Sequence, residues 1–290
     1  LFANLDKNIF EICVFSNLVK PTEQTDLLKT HVAEWASIPS MTDVDAAKCI
    51  FAKSIDVLID LSGHTAGNRL PVFAYRPAPV QATYLGWFSS SGLNQMDYIL
   101  ADKYVLPPES YQHYCEKVAV LPNSFLCFAP PRLDISINPA PAIANKYIMF
   151  GCFNSAKKVE SQVISTWSKI LRQISQSKFL LKGSGYSDSK HIISDCFSKN
   201  GIDPKRIIFE GECSRFELLN SYTRVDIALD PFPYPGGTTT CEALWMGVPT
   251  ITKKGSTFLS RIGESIAINS GHPELCSEDE DDYIFKTVTL

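Results

Sequence analysis

Several features that would place this chain outside the ordinary globular proteins are missing. No run of 18 apolar residues occurs, and no basic region with an apolar core opens the chain, so we expect neither a membrane span nor a signal peptide. The net charge is only -4, which argues against nucleic acid as a partner. No Cys-x-x-Cys pair occurs among nine scattered cysteines, so we interpret them as reduced core thiols of a cytoplasmic protein rather than as a disulfide framework.

What the chain does have is length and alternating elements. Its 290 residues suggest two domains of roughly 150 residues each. A Pro-rich stretch without periodicity, from Ala129 to Pro141, indicates a linker. We therefore predict an N-terminal domain over residues 1–131, a linker over 132–146 and a C-terminal domain over 147–290.

Apolar, β-branched runs alternate with amphipathic segments on both sides of this linker. The N-terminal part begins as β-α-β, with a helix predicted at 43–53 between strands at 9–15 and 55–61. In the C-terminal part, strands are predicted at 147–153, 179–182, 207–210 and 225–229, and helices at 160–174, 189–200, 215–223 and 239–246. Strict alternation predicts a doubly wound parallel sheet.

Three polar loops of the C-terminal part follow the carboxyl ends of its predicted strands, where such sheets bind ligands. They are Asn154–Lys158, Gly183–Tyr186 and Pro231–Thr240. The class is α/β, and two Rossmann-like domains facing a cleft are typical of the glycosyltransferase B fold. Phosphorylases and epimerases share this architecture, so the fold alone leaves the reaction open.

The segment from Asp230 to Pro249 carries the most chemical information. Gly236 and Gly237 can adopt backbone angles closed to other residues, and the three threonines after them can cap the following helix while its free N–H groups face an anion such as a diphosphate. Glu242, one turn inside that helix, could accept hydrogen bonds from ribose hydroxyls. An ordinary capped helix is the alternative interpretation, because Gly-rich loops are a weak signal.

Five segments, in order and over nearly all of the chain, resemble the catalytic region of the O-linked N-acetylglucosaminyltransferase and SPINDLY family. They are Ile59–Arg69, Phe73–Gln81, Met96–Ile99, Phe150–Asn154 with Lys158, and Pro235–Pro249. The resemblance implies transfer of a sugar from a nucleotide donor to Ser or Thr of proteins, with inversion and without a metal or other cofactor. It also implies tetratricopeptide repeats N-terminal to the catalytic region, outside these residues.

The resemblance assigns the donor site to the C-terminal domain. Lys158 would pair with the diphosphate and act in catalysis, and Asn154 would shape the same loop. Gly237 and the threonines Thr238, Thr239 and Thr240 would bind the donor phosphates, with Glu242 on the ribose.

In the N-terminal domain, the resemblance places His64, Thr65 and Gly67 in a loop that faces the cleft. His64 is the candidate base for the acceptor hydroxyl, although the donor phosphate could take the proton instead. A loop histidine that caps a neighbouring helix is the structural alternative. Gln81 is predicted to line the same cleft.

The sequence departs from the family at the nucleotide pocket. Gly237 stands where the animal transferases have a histidine, and Leu218 replaces another histidine common in the family. We expect UDP-N-acetylglucosamine (UDP-GlcNAc) as the donor. GDP-fucose, used by some SPINDLY-like members, and a non-catalytic sugar-nucleotide or protein-binding module are the alternatives.

Two Asp-x-Asp patterns could suggest a divalent metal, but we predict none. Asp43 and Asp45 fall in the first turn of a predicted helix, and the acidic run 278–282 precedes another, where carboxylates suit the helix dipole. The charge that a metal would supply is already offered by Lys158 and a helix N-terminus.

Residues 1–15 look like the end of a helix that runs into a strand. We therefore expect the first β-α unit of the N-terminal domain to precede Leu1 and the chain to be a fragment. On this hypothesis, residues 1–290 alone are poorly soluble or inactive.

Overall fold

The computed structural model describes residues 1–290, which form two compact units. The first unit comprises Leu1–Ala101 and Pro108–Leu121, and the second comprises Asp102–Pro107 and Pro122–Leu290. The predicted linker 132–146 falls within the second unit and contains a short helix. The domain limits 1–131 and 147–290 stay a prediction.

The first unit holds two parallel sheets. One pairs β1 with β2, and the other has the order β3-β4-β5-β6, in which β4 pairs in parallel with both β3 and β5. Its strands are β1 Cys13–Ser16, β2 Glu34–Ser37, β3 Val57–Asp60, β4 Val80–Thr83, β5 Tyr98–Asp102 and β6 Lys117–Leu121. Its helices are α1 Glu23–Lys29, α2 Asp43–Ala52 and α3 Leu70–Ala74.

The second unit is built on one six-stranded parallel sheet of order β12-β11-β10-β7-β8-β9. Its strands are β7 Met149–Cys152, β8 Lys178–Lys182, β9 Ile207–Glu210, β10 Ile227–Leu229, β11 Thr250–Lys253 and β12 Cys276–Ser277. Its helices are α4 Ala142–Asn145, α5 Ser161–Gln173, α6 Tyr186–Lys199, α7 Arg215–Ser221, α8 Thr238–Trp245, α9 Ile262–Asn269 and α10 Glu280–Thr289. Counted from β7, this is the 3-2-1-4-5-6 order of the doubly wound fold, so the predicted sheet is confirmed.

Local sequence explains why these helices form where they do. The Thr42 hydroxyl accepts the N–H of Asp45 at the start of α2, and Ser214 forms a capping box with Glu217 at the start of α7. The apolar stripe predicted on α5 is buried against the sheet of the second unit, with Trp167 fully buried at its centre. Burial of this stripe fixes which face of α5 meets β8.

The predicted first strand was too long at its N-terminal end. Strand β1 begins at Cys13, because Ile9 and Phe10 lie in a turn and are exposed by 73% and 52%. The elements that were not predicted are α1, β2 and α3 in the first unit and α4, β11, α9 and β12 in the second, since two to eight residues give too little periodicity to recognise.

None of the helices combines the length and apolarity needed to cross a membrane. All nine cysteines are free thiols, but only Cys152 and Cys276 are buried, so the interpretation of all nine as core residues was wrong.

Candidate functional site

The second unit contains a pocket at the point where its strand order reverses. The chain leaves β7 toward β8 on one side of the sheet, whereas β10 pairs with β7 on the other side, so the loops after β7 and β10 diverge from one edge. Doubly wound sheets bind ligands at such a reversal. The pocket is lined mainly by residues 151–154, 228–230, Tyr222, Thr239, Thr240, Ala243 and Thr250.

Lys158 lies beside this pocket and has only neutral hydrogen-bond acceptors. Its Nζ donates to Asn154 Oδ1 at 3.0 Å and to the carbonyl oxygen of Pro235 at 2.9 Å, and it lies 3.8 Å from the ring centroid of Tyr234. Burial lowers the pKa of Lys158, whereas the nearby carboxylate of Asp230 raises it. A half-buried ammonium group that makes no salt bridge is well suited to an anionic ligand.

A buried carboxylate that the sequence analysis gave no role organises this loop. Asp230 follows β10 and accepts hydrogen bonds from the Gly236 N–H at 3.1 Å, from the Thr240 hydroxyl at 3.0 Å and from the Asn154 amide at 3.4 Å. Desolvation raises its pKa to about 6, although these hydrogen bonds and Lys158 oppose the shift. A buried Asp directly after an apolar strand was the available signal in the sequence.

The three threonines lie inside helix α8 and do not cap it, which corrects the prediction. The N-cap is Gly237, and no side chain makes a cap hydrogen bond there. Thr238 is exposed and Thr239 half-buried, whereas Thr240 is buried and donates to Asp230. As the first three helical residues, 238–240 lack the intrahelical N–H partners of later residues, so their N–H groups are free to bind an anion.

Gly236 is required by close packing rather than by an unusual backbone angle. Neither Gly236 nor Gly237 has a positive φ, but Gly237, with φ of -113° and ψ of -83°, lies outside the main regions that residues with a side chain adopt, as predicted. A Cβ at Gly236 would lie 2.4 Å from the hydroxyl oxygens of Thr239 and Thr240, so any larger residue would displace the start of α8. Gly237 has space, with a single neighbour at 3.9 Å from an added Cβ.

Glu242 lies deeper than the sequence suggested. Its side chain is only 1% exposed, and its carboxylate pairs with the guanidinium of Arg215 on α7 at 2.5 Å. Burial raises the pKa of Glu242, and Arg215 opposes the shift. The ribose contact stays a prediction, and it needs access to a carboxylate that Arg215 now covers.

The loop after β3 in the first unit contains His64, Thr65 and Gly67, and all three are exposed. His64 Nε2 lies 3.0 Å from the carbonyl oxygen of Ser90, so Nε2 carries the proton and Nδ1 is the acceptor in the neutral ring. The Thr65 hydroxyl donates to the Ser62 carbonyl, and Gly67 has a φ of +74°. His64 caps no helix in this structure, so the structural alternative weighed for it does not apply.

Gln81 is fully buried in the interior of the first unit. Its amide donates to the carbonyl oxygens of Phe73 and Gln95 at 2.9 Å and 2.8 Å. This burial contradicts the placement of Gln81 on a ligand-facing surface, because the side chain ties α3 to the turn before β5. Its glutamine identity is explained by these two buried carbonyl groups.

The acidic pairs occupy helix starts, as predicted. Asp43 and Asp45 lie in the first turn of α2, and Asp279 is the N-cap of α10, where it accepts the N–H of Asp282. No cluster of three or more His, Cys, Asp or Glu side chains suited to a metal ion is present in residues 1–290. Whether the reaction needs a metal is a separate question and stays a prediction.

Comparison with known protein families identifies the chain's relatives. The model of glycosyl transferase family 41 matches residues 14–130 and 129–290. The chain belongs to glycosyl transferase family 41. The resemblance recognised from the five sequence segments is therefore confirmed.

Among the relatives of this family 41 chain are plant proteins named as probable UDP-N-acetylglucosamine–peptide N-acetylglucosaminyltransferases. The SPINDLY protein of Solanum lycopersicum is 32% identical over 99% of this chain and 32% of its own length. The SEC protein of Arabidopsis thaliana is 26% identical over 91% of this chain and 28% of its own length. The chain thus spans about a third of the curated relatives it matches.

A solved structure confirms the fold of this family 41 chain. A mutant of the Thermobaculum terrenum O-GlcNAc transferase superposes with a TM-score of 0.94 and 32% sequence identity, over 99% of this chain and 55% of that one. The predicted α/β class and glycosyltransferase B fold are therefore confirmed. The roles of the individual site residues stay predictions.

Proposed function

We propose that this chain is the catalytic region of an inverting, metal-independent protein O-glycosyltransferase that moves N-acetylglucosamine from UDP-GlcNAc to Ser or Thr of proteins. The observation that carries the proposal is the cluster of Lys158, Asn154 and Thr239 at the strand reversal of the second unit, in a chain of family 41. It combines an ammonium group that makes no salt bridge with a helix N-terminus, and both suit a diphosphate.

The donor diphosphate binds across the start of α8. The exposed hydroxyl of Thr238 donates to a phosphate oxygen together with the free N–H groups of the first turn. The half-buried hydroxyl of Thr239, which donates to Asn154 Oδ1 in this structure, turns its one proton to a second phosphate oxygen when the donor binds. Lys158 has a third N–H beyond its two bonds to neutral oxygens, and this N–H meets the phosphate. The negative charge of the diphosphate then lies beside the half-buried ammonium group of Lys158, in the place that solvent would otherwise occupy.

The reaction is a single displacement at the anomeric carbon. The acceptor oxygen forms its bond to that carbon on the face opposite the diphosphate, the bond to the phosphate oxygen breaks, and the nucleoside diphosphate leaves. Negative charge grows on the leaving group, and Lys158 stabilises it more in the transition state than in the ground state, which accelerates the step. A preorganised cation at this position contributes several kcal/mol.

The acceptor's proton goes to His64 or to the leaving phosphate. His64 suits the first route because Nε2 is held by the Ser90 carbonyl, which leaves Nδ1 free to accept the proton. The second route needs no side chain, since the diphosphate gains basicity as its bond to the sugar breaks.

No metal is required on this mechanism, because Lys158 and the N-terminus of α8 supply the positive charge at the diphosphate. We expect transfer to survive EDTA at the rate measured without it. The check is initial-rate transfer of labelled sugar with EDTA, and with EDTA followed by excess Mn²⁺ or Mg²⁺. A loss that the added metal restores would refute metal independence.

A GDP-fucose donor is the second candidate, and a specific observation favours it. Leu218 on α7 packs against the core, and Gly237 offers no side chain, so neither position supplies the ring or hydrogen-bond donor that a histidine would offer to a base. Protein acceptors with accessible Ser or Thr, repeats N-terminal to the catalytic region and a cytoplasmic location belong to the proposal with either donor.

Calorimetric titration with UDP and GDP side by side tests the donor. We expect UDP to bind more tightly, and transfer of labelled sugar from UDP-GlcNAc to a Ser/Thr-rich peptide. Tighter GDP binding with transfer from GDP-fucose would replace the donor but keep the enzyme class. Binding of neither nucleotide, in a folded protein, would favour the non-catalytic module.

A further inference from the structure

We propose that Asp230 is a positioning residue of the donor site: its carboxylate orients the Asn154 amide, which in turn holds Lys158 and the start of α8 in place for the diphosphate. The inference rests on the proposed function, since it explains how that site is preorganised. Asp230 itself is 2% exposed, so we assign it no direct contact with the donor. It acts through Asn154.

The chemistry of an amide side chain gives Asn154 one favourable orientation. Its NH₂ group points at Asp230 Oδ1, 3.4 Å away, so its carbonyl oxygen points the other way and accepts from Lys158 at 3.0 Å and from the Thr239 hydroxyl at 3.3 Å. The flipped amide would set NH₂ against an ammonium group and oxygen against a carboxylate. Both contacts are repulsive, so the Asp230 charge selects the orientation that binds Lys158.

The same carboxylate also fixes the loop that leads into α8. Gly236 donates its N–H to Oδ1 at 3.1 Å, and the Thr240 hydroxyl lies 3.1 Å and 3.0 Å from the two carboxylate oxygens. One side chain therefore contacts the loop after β7, the loop after β10 and the first turn of α8. These three segments carry all the groups assigned to the diphosphate.

Lys158 is the one oppositely charged group that interacts with Asp230. The other ionisable groups around the carboxylate are Cys152 of β7, Tyr222 before β10, Cys241 of α8 and Tyr283 of α10. Burial raises the pKa of every one of these four above its usual value, so they are neutral near pH 7. Removing the Asp230 charge must therefore lower the pKa of Lys158 further, because that charge is the main electrostatic contribution that opposes the desolvation of the ammonium group.

The test is the pH dependence of donor affinity in the full-length protein and in Asp230→Asn, measured by calorimetry with UDP-GlcNAc, or with GDP-fucose if the wild-type protein prefers it. Affinity falls as pH rises through the pKa of Lys158. In Asp230→Asn we expect affinity at neutral pH to drop about 10-fold and the alkaline fall to move about one pH unit lower. If Asp230→Asn lost donor affinity at the same alkaline pH as the wild-type protein, the inference would be overturned.

Thr240→Val is the matched control, since it removes a hydrogen bond to the same carboxylate but keeps the charge. Its alkaline fall should stay where the wild-type protein has it, and a shift equal to that of Asp230→Asn would show that packing, not charge, is responsible.

A second variant keeps the inference testable if Asp230→Asn does not fold. In Asn154→Leu the side chain has similar volume but makes no hydrogen bond to Asp230, Lys158 or Thr239. We therefore expect about 10-fold weaker donor binding. Wild-type affinity in folded Asn154→Leu would overturn the inference while leaving the proposed function intact. A wild-type protein that binds neither nucleotide sugar overturns both.

Discussion

Two loops of this molecule are built around a buried aspartate at the end of a parallel strand. In the first unit, Asp60 ends β3 and accepts the N–H groups of Ser62 and Gly63 at 3.1 Å and 2.7 Å. In the second unit, Asp230 follows β10 and accepts the N–H of Gly236. Each carboxylate shapes its loop by satisfying backbone donors that would otherwise be unpaired.

The loops differ in what they present to solvent. The loop after β10 carries an eight-residue helix and adjoins the half-buried cation Lys158, whereas the loop after β3 leads to a five-residue helix and exposes the imidazole ring of His64. A buried aspartate that accepts backbone N–H groups therefore supports the proposed anion site in the second unit and the proposed proton acceptor in the first. We predict that donor binding depends on the loop after β10, called the second loop, and that proton transfer depends on the loop after β3, called the first loop.

The largest effect is expected from the cation of the second loop. Lys158→Ala should lower both peptide transfer and donor hydrolysis by on the order of 100-fold or more, because one electrostatic stabiliser of the leaving group is lost. Steady-state rates and the unfolding temperature are the measurements. Lys157→Ala is the matched control, since Lys157 is the exposed neighbour of Lys158. Its replacement should lower the two rates much less. Wild-type rates in Lys158→Ala would show that the site is misassigned.

The first loop should affect rate without affecting donor affinity. His64→Gln keeps a hydrogen-bond donor for the Ser90 carbonyl but cannot accept the proton, so transfer should fall by about 10- to 100-fold while donor affinity stays unchanged. Transfer kinetics and calorimetry on the same preparation separate the two effects. An unchanged rate would assign the proton to the leaving phosphate.

Side-chain hydroxyls at the start of α8 should have a smaller effect, on affinity. Replacing Thr238 and Thr239 by Val should weaken donor binding by about 1–2 kcal/mol per lost hydrogen bond to a charged group. Titration with the donor measures this loss, and thermal unfolding serves as the control for folding. Unchanged affinity would mean that the hydroxyls serve the helix and that only backbone N–H groups bind the phosphates.

The smallest effect concerns stability of the second unit away from its site. Glu210 at the end of β9 accepts hydrogen bonds from Arg224 and, with a smaller effect, from Lys182, which lower its pKa from 4.5 to about 2. A lowered pKa stabilises the fold above pH 4.5, and this contribution is lost as pH falls toward 2. Glu210→Gln should cost about 1–2 kcal/mol at neutral pH, after allowance for solvent screening, and leave transfer unchanged.

Denaturant unfolding at a series of pH values checks this expectation. The difference between Glu210→Gln and the wild-type protein should shrink steadily below pH 4.5. Glu212→Gln, at an exposed position in the next loop, should show no such pH dependence. A constant difference across the series would point to packing rather than charge.

Sequence patterns predicted part of each unit. In the second unit, long apolar runs and the amphipathic pattern of α5 predicted β7 to β10 and α5 to α8 within a few residues, because burial on both sheet faces leaves a strong signal. The strands β11 and β12 and the helix α9 of the same unit were not predicted. In the first unit, the exposed side chains of Val57 and Ile59 on β3 weaken the contrast between core and surface, and α1, β2 and α3 were not predicted.

The sequence by itself determined the family, the alternation that produces a parallel sheet, and the residues gathered at the loops after β7 and β10. Motif order and periodicity are properties of the chain, so they need no coordinates. Only the tertiary structure decided how those residues are used. It buried Gln81 and covered Glu242 with Arg215. It also joined Asn154 to Asp230 across 76 positions of sequence separation and Lys158 to Pro235 across 77. Burial and hydrogen-bond partners depend on which elements pack together, and local sequence does not encode that.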